Sequence, residues 1–157
     1  MEKNLTTYNK KRDFNKTNEP KGTKKKSQKK LRFVVQHHLA RKDHYVLRLE
    51  WNGVLKSWAV PKGPSYKTKD KRLAIMVEDH PLEYRKFEGT IPKGEYGGGT
   101  VMIFDEGYYE PVNDIKKALK EGTIKFVLKG KRLKGLWTIV HFKEPSFKPF
   151  FISLSGS

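Results

Sequence analysis

The chain contains no cysteine, so disulfides, thiolate catalysis and cysteine-based zinc sites are excluded. No apolar run approaches the ~18 residues of a membrane-spanning helix. The opening stretch MEKNLTTYNKKRDF lacks the apolar segment of a secretory signal. These absences suit a cytoplasmic protein with no membrane partner. Acidic residues are scarce: 17 Asp and Glu stand against 34 Lys and Arg, a net charge of +17 over 157 residues. That imbalance points to a polyanionic partner, most simply nucleic acid. The metalloprotease HExxH pattern, the serine nucleophile elbow, the zinc-deaminase signature and both common glycine-rich nucleotide loops are also missing, which removes those chemistries.

What is present is unevenly spread. Residues 1–32 hold twelve Lys and Arg against three Asp and Glu, a net +9, and the remaining 125 residues carry +8. This first stretch is poor in apolar side chains and contains Pro20 and Gly22. It reads as a basic arm, residues 1–31, flexible at least through the KKKSQKK run. Its charge suits gripping phosphate as well as solubility.

From Arg32 the texture changes to short alternating runs with turn punctuation, which defines a second region, 32–157. Arg32–Gln36, Asp43–Glu50, Val54–Val60, Leu73–Glu78, Val101–Asp105, Thr123–Lys129, Leu136–Phe142 and Phe150–Leu154 read as strands. Asn52-Gly53 is a hairpin turn between the second and third. One short helix is expected from Asp114 to Lys120, capped by Asn113 or Asp114 and stopped by Gly122. Many short strands at close spacing predict a mainly β fold, a small antiparallel barrel or sandwich. Pro92–Gly99 reads as a tight glycine-rich connection, and His141 as a structural histidine.

Polar chemistry gathers where strands alternate. On Asp43–Glu50 one face carries Tyr45, Leu47, Leu49 and Trp51, a core face. The other carries His44, Val46, Arg48 and Glu50. On the Leu73–Glu78 strand the same reading puts Leu73, Ile75 and Val77 inward, and Arg72, Ala74, Met76, Glu78 and His80 together. Two strands thus present Arg, His and Glu on one side. Neutral imidazole ligates transition metals or moves protons, and the guanidinium fork suits phosphate oxygens. A solvated sheet face would look the same, so alternation alone leaves both readings open.

The strings FVVQHH, HYVLRLEWNGVLKSWAVPKGPS, DKRLAIMVEDHPLEY and FEGTIPKGEYGGGTV closely resemble the 3′-phosphoesterase module of bacterial and archaeal DNA ligase D. The resemblance begins at KRDFNKTNEP in the arm and runs to about Trp137; the segment from His141 onward is a loose match. It implies a compact β-barrel with a crescent-shaped groove and dependence on manganese (Mn2+) or another divalent cation. It implies removal of a 3′-terminal ribonucleoside and then of the 3′-phosphate. His38 and His44 fall on the metal-binding histidines. Arg48 and His80 fall on groups that hold or protonate the phosphate, and Tyr84 on an active-site tyrosine. Gln36, Lys62, Arg72 and Glu78 match supporting positions, and Arg12, Asp13 and Glu19 match an arm motif used for removing the nucleoside. The implied substrates are DNA primer-templates and RNA-tipped 3′ ends. The implied partners are separately encoded ligase, polymerase and Ku proteins.

One departure stands out. The family's HYDxRLE strand reads HYVLRLE here, so Val46 replaces the aspartate that is the metal's third protein ligand. Manganese favours oxygen ligands beside imidazole, so the site should be weakened. Glu50 lies about 13 Å along the strand from Val46, and Asp43 and Asp79 should face away. Two expectations follow: an active metal-dependent 3′-phosphoesterase completed by water and substrate phosphate, or a catalytically weak or inactive DNA-end-binding module.

Overall fold

Asn52 and Gly53 adopt the left-handed conformation, with φ of 50° and 84°. That is the backbone a two-residue hairpin demands, because it matches the twist of the flanking strands. The turn sets the register of β2 (His44–Trp51) against β3 (Val54–Val60), from Trp51 opposite Val54 to Tyr45 opposite Val60. The computed structural model describes residues 3–22, 30–141 and 150–156.

Around this hairpin lie β1 (Arg32–Leu39), β4 (Arg72–Pro81), β5 (Gly89–Ile91), β6 (Gly99–Pro111), β7 (Thr123–Gly130), β8 (Lys134–His141) and β9 (Phe150–Gly156). All pairings are antiparallel, in the order β1-β2-β3-β4-β9-β8-β7-β6, and a β1–β6 pairing closes the ring. The result is an eight-stranded barrel with β5 added beside β6. Its interior is filled by the inward residues of every strand, among them Phe33, Leu47, Leu49, Trp58, Phe126 and Trp137. No helix among the described residues is long and apolar enough to cross a membrane.

The helix after β6 forms as expected. Helix Ile115–Glu121 is capped by Asp114, whose carboxylate accepts from the Lys116 N–H at 3.0 Å, and it ends at Gly122 with φ of 95°. The expectation of one helix undercounts, because the arm holds another, α1 (Lys3–Lys10), and a 3-10 helix, Leu82–Lys86, follows β4. The reason is packing. Leu5 and Tyr8 are fully buried, and Tyr8 joins Leu55 and Tyr84 in a second apolar cluster, separate from the barrel interior, with Phe14, Leu82 and Phe87 packed against it. Asn9 closes the arm by exchanging two hydrogen bonds with the backbone of Gly22, at 2.9 and 3.0 Å. Of the KKKSQKK run expected to be flexible, residues 24–29 lie outside the described residues.

The face assignment on β4 needs correction. Ala74 is in the barrel core and Ile75 is 49% exposed, so the inward and outward sets are exchanged over this part of the strand. Ser57 pairs with Val77 while Leu55 pairs with His80, so β4 carries one residue more than β3 across that interval. Such a bulge breaks alternation. Ile75 and Val77 therefore share the outer face with His80, on the opposite side of the sheet from Ala74.

Candidate functional site

The outer face of β1 to β4 is where the polar side chains meet. Register alone sets the first contacts. His38 on β1 pairs with His44 on β2, and Gln36 pairs with Val46. On the other side of β2, Val46 pairs with Ala59 and Arg48 with Ser57. A cleft of about 280 Å³ opens over this row, lined by Arg12, Glu19, His38, His44, Val46, Arg48, Glu78, His80, Tyr84 and Tyr96, among others.

His38 and His44 stand with ring centroids 4.8 Å apart. The His44 Nδ1–H donates to the Lys42 carbonyl at 3.0 Å, which leaves Nε2 as the nitrogen able to hold a ligand. His38 Nε2 is buried without a hydrogen-bond partner. Burial pushes the His38 pKa down, and His44 and Arg48 push it further, against a backbone hydrogen bond with Gly97 that works the other way. A neutral imidazole is the form that binds a metal. Val46, which is buried, lies between this pair and Arg48 on the same strand face. Among the described residues no group of three His, Asp or Glu is placed to hold a metal ion. Asp43 precedes β2 and is exposed.

Arg48 is buried and held on two sides, donating from Nε to Gln36 Oε1 at 2.7 Å and from Nη1 to Ser57 Oγ at 2.9 Å. Gln36 is fixed in turn by donating to the backbone carbonyls of Tyr84 and Phe87 at 2.7 and 3.2 Å. The Arg48 guanidinium lies 4.7 Å from the Tyr84 ring centroid. Burial lowers its pKa to about 10, so it remains a cation at neutral pH.

The opposite wall comes from the arm. Arg12 donates to Glu19 Oε2 at 3.0 Å, to the Tyr8 carbonyl at 3.0 Å and to His80 Nε2 at 3.3 Å, and it stacks 3.9 Å from the Tyr8 ring centroid. Glu19 accepts from Thr17 at 3.0 Å and from the Tyr84 hydroxyl at 2.6 Å. His80 Nδ1–H donates to the Glu78 carbonyl at 2.9 Å, so its tautomer is set from both sides. Burial drives the His80 pKa well down, aided by Arg48 and Arg12. Burial raises the Tyr84 pKa, with Arg48 opposing and Glu19 reinforcing. Glu78 Oε2 is buried without a hydrogen-bond partner, although Arg12 Nη1 lies 3.5 Å away.

The sequence-predicted residues Arg12, Glu19, His38, His44, Arg48, Glu78, His80 and Tyr84 thus line one cleft, with Gln36 beneath it. Three others lie elsewhere. Asp13 is exposed and accepts from the Asn15, Lys16 and Thr17 N–H groups, which shapes the arm turn. Lys62 and Arg72 line a second, basic cleft with Lys69, Asp70 and Lys71. There Arg72 donates to the Lys62 carbonyl at 2.9 Å and approaches Asp70 at 3.7 Å. His141 stacks on Phe150, centroids 3.9 Å apart, away from the cleft. Sequence reasoning missed Ser57, Tyr8 and Tyr96. Ser57 could have been found, since the Asn52-Gly53 turn sets it opposite Arg48. Tyr8 and Tyr96 carried no such signal.

Comparisons with known proteins converge on one family. Residues 36–141 match the family described as DNA Ligase D 3'-phosphoesterase domain. The chain is 49% identical over 140 residues to the multifunctional non-homologous end joining protein LigD of Pseudomonas aeruginosa, covering 88% of this chain and 17% of that protein. It is 43% identical over 146 residues to the protein of that name from Mycolicibacterium smegmatis, covering 88% and 19%. It is 45% identical over 137 residues to the multifunctional non-homologous end joining DNA repair protein LigD of Mycobacterium tuberculosis, covering 87% and 18%. The chain spans less than a fifth of the length of these relatives.

Proposed function

The chain belongs to the DNA ligase D 3′-phosphoesterase domain family of end-joining repair, and on that premise we propose that it trims the 3′ ends of primer-templates. In this reading it removes a terminal ribonucleoside and then the 3′-phosphate, leaving the 3′-hydroxyl that a ligase needs. The observation that carries it is the two imidazole nitrogens of His38 and His44, one buried and unpartnered, in the same cleft as a buried arginine cation.

His38 and His44 would hold a divalent cation, manganese in this reading, which when bound offsets charge on the phosphoryl oxygens. Arg48 takes the phosphate oxygens, its geometry preset by Gln36 and Ser57, so little reorganisation is needed when charge develops. His80, kept neutral by burial and by Arg48 and Arg12, is a weak base. With Nε2 accepting from Arg12 and Nδ1–H donated to the Glu78 carbonyl, it orients Arg12 beside the phosphate. Tyr84, held protonated, donates its hydroxyl to Glu19 and so fixes that wall beside Arg48. Arg12 and Glu19 tie the arm to this wall and extend the cleft toward the nucleoside beyond the phosphate. Ligase, polymerase and Ku activities would use the product.

A second reading, an end-binding module without turnover, is favoured by one observation, the apolar Val46 beside the histidine pair. A primer-template bearing a 3′-phosphate, incubated with manganese, separates the two. Appearance of a 3′-hydroxyl supports the esterase; end binding without turnover at high protein supports the module. Val46→Asp should raise the manganese-dependent rate by about 10-fold or more, since lost metal-site partners commonly cost that much. An unchanged rate would mean that Val46 is not what limits the site.

A further inference from the structure

Tyr96 is not used by the chemistry above, yet its position is unusual. Among the cleft-lining residues it is an exposed aromatic ring, at 48%, whereas Tyr84 on the floor is buried. It sits in the glycine-rich loop between β5 and β6, which folds as two successive turns, Glu95 N–H to the Pro92 carbonyl at 3.1 Å and Gly98 N–H to the Glu95 carbonyl at 3.0 Å.

The loop packs against the cleft and the arm holds the ring. Its neighbour Gly97, at φ of 74°, lies against His38: a Cβ added there would come 3.7 Å from His38 Cε1. Across the cleft mouth, Lys11 Nζ donates to the Tyr96 hydroxyl at 3.1 Å and lies 4.6 Å from the ring centroid, while the Arg12 guanidinium lies 5.5 Å from it. The hydroxyl is therefore engaged and the arm cations cover part of the ring, so what the half-exposed ring can offer a ligand is the face they leave open. A side chain held this way loses little entropy on binding.

The floor of the cleft is built for a phosphate. A nucleotide whose 3′-phosphate reaches Arg48 and the histidines must leave its sugar and base toward the mouth, because both are attached to that phosphate. A flat, anchored, half-exposed ring at the mouth is the usual platform for an unstacked terminal base. We propose that Tyr96 forms a nucleobase subsite, stacking on the 3′-terminal base of the strand whose phosphate enters the cleft. The subsite rests on the phosphoesterase reading and adds a ligand group to it, the nucleobase. Stacking uses the π-face common to all bases, so the site tolerates any base.

The test is equilibrium binding by fluorescence anisotropy, with the full chain in EDTA so that no metal-dependent turnover intervenes. Two primer-templates with a 3′-phosphate differ only in the terminal residue, which is either a normal nucleotide or an abasic one. The expected result is that the unmodified chain binds the base-bearing end about 10-fold more tightly. Tyr96→Leu should remove that difference by weakening only the base-bearing end. Tyr96→Phe should keep it, although the Lys11 hydrogen bond is gone. Three results overturn the proposal: no base preference in the unmodified chain, no effect of Tyr96→Leu, or equal weakening of both ends by Tyr96→Leu, which would mean that the ring only holds the arm. The phosphoesterase reading is checked apart from this by comparing 3′-phosphate with 3′-hydroxyl on the same strand. Loss of that preference would sink the reading of the floor, while the base comparison still decides Tyr96.

Discussion

The cleft has two halves of different character. On the arm side, Arg12, Glu19, His80 and Tyr84 are bound to one another, and Glu78, whose Oε2 makes no hydrogen bond, still has the Arg12 cation 3.5 Å away. On the β1–β2 side, His38 Nε2 has no hydrogen-bond partner and His44 keeps Nε2 uncommitted, with apolar Val46 next along the strand. A network satisfied internally holds a shape, whereas unsatisfied donors and acceptors wait for a ligand. The arm half is thus built as a wall and the histidine half as a receptor.

Substitutions can break that contrast. The largest effect is expected from Glu19→Ala, which strands the Arg12 cation and the Tyr84 hydroxyl in a buried wall. Removing one member of a buried pair typically costs about 3–5 kcal/mol, and urea denaturation should show a loss in that range. A loss below about 1 kcal/mol would mean that the arm is not locked to the barrel through this network.

Acidification should weaken the fold next. His80 and His38 have folded pKa values depressed mainly by burial, below the ordinary histidine value of about 6.5. As pH falls below that value the unfolded chain binds more protons than the folded one, so stability is highest above it and is lost progressively toward the folded pKa values. The melting temperature should fall between pH 7 and pH 5, and His80→Gln should make the fall shallower. A flat profile in the unmodified chain would contradict the burial of His80.

The smallest effect on stability belongs to the receptor half. His38→Ala loses a ring nitrogen that had no hydrogen-bond partner and one backbone hydrogen bond with Gly97, so unfolding free energy should change by only about 1 kcal/mol. Manganese binding, followed by calorimetry without DNA, should nevertheless disappear. A large destabilisation with metal binding intact would reverse the assignment of the two halves.

The difference between the halves also explains what could be read from the chain. Alternation on β2 correctly separated Tyr45, Leu47 and Leu49 from His44, Val46 and Arg48, because a regular strand has a period of two. It failed on β4, where one extra residue before His80 shifts the phase; Ile75 was expected inward and is exposed. Alternation marked Val46 as the apolar residue on a polar face, the family motif identified what it replaces, and the structure adds that no nearby acid among the described residues completes a three-ligand set. Lys62 and Arg72, expected to share a phosphate with Arg48, line their own cleft. Their separation follows from strand placement that no local pattern encodes.

Composition, turn chemistry and alternation determined the charge, the antiparallel hairpins, the capped helix after β6 and the polar face of β2, because each depends on neighbours in sequence. Barrel closure through β1 and β6, the bulge in β4, the docking of Tyr8 against Leu55 and Tyr84, and the placing of Arg12 on His80 were decided by tertiary structure alone. The physical reason is separation along the chain. Arg12 and His80 are 68 residues apart, and only the burial of an apolar helix face against the outside of the barrel brings that cation to that ring.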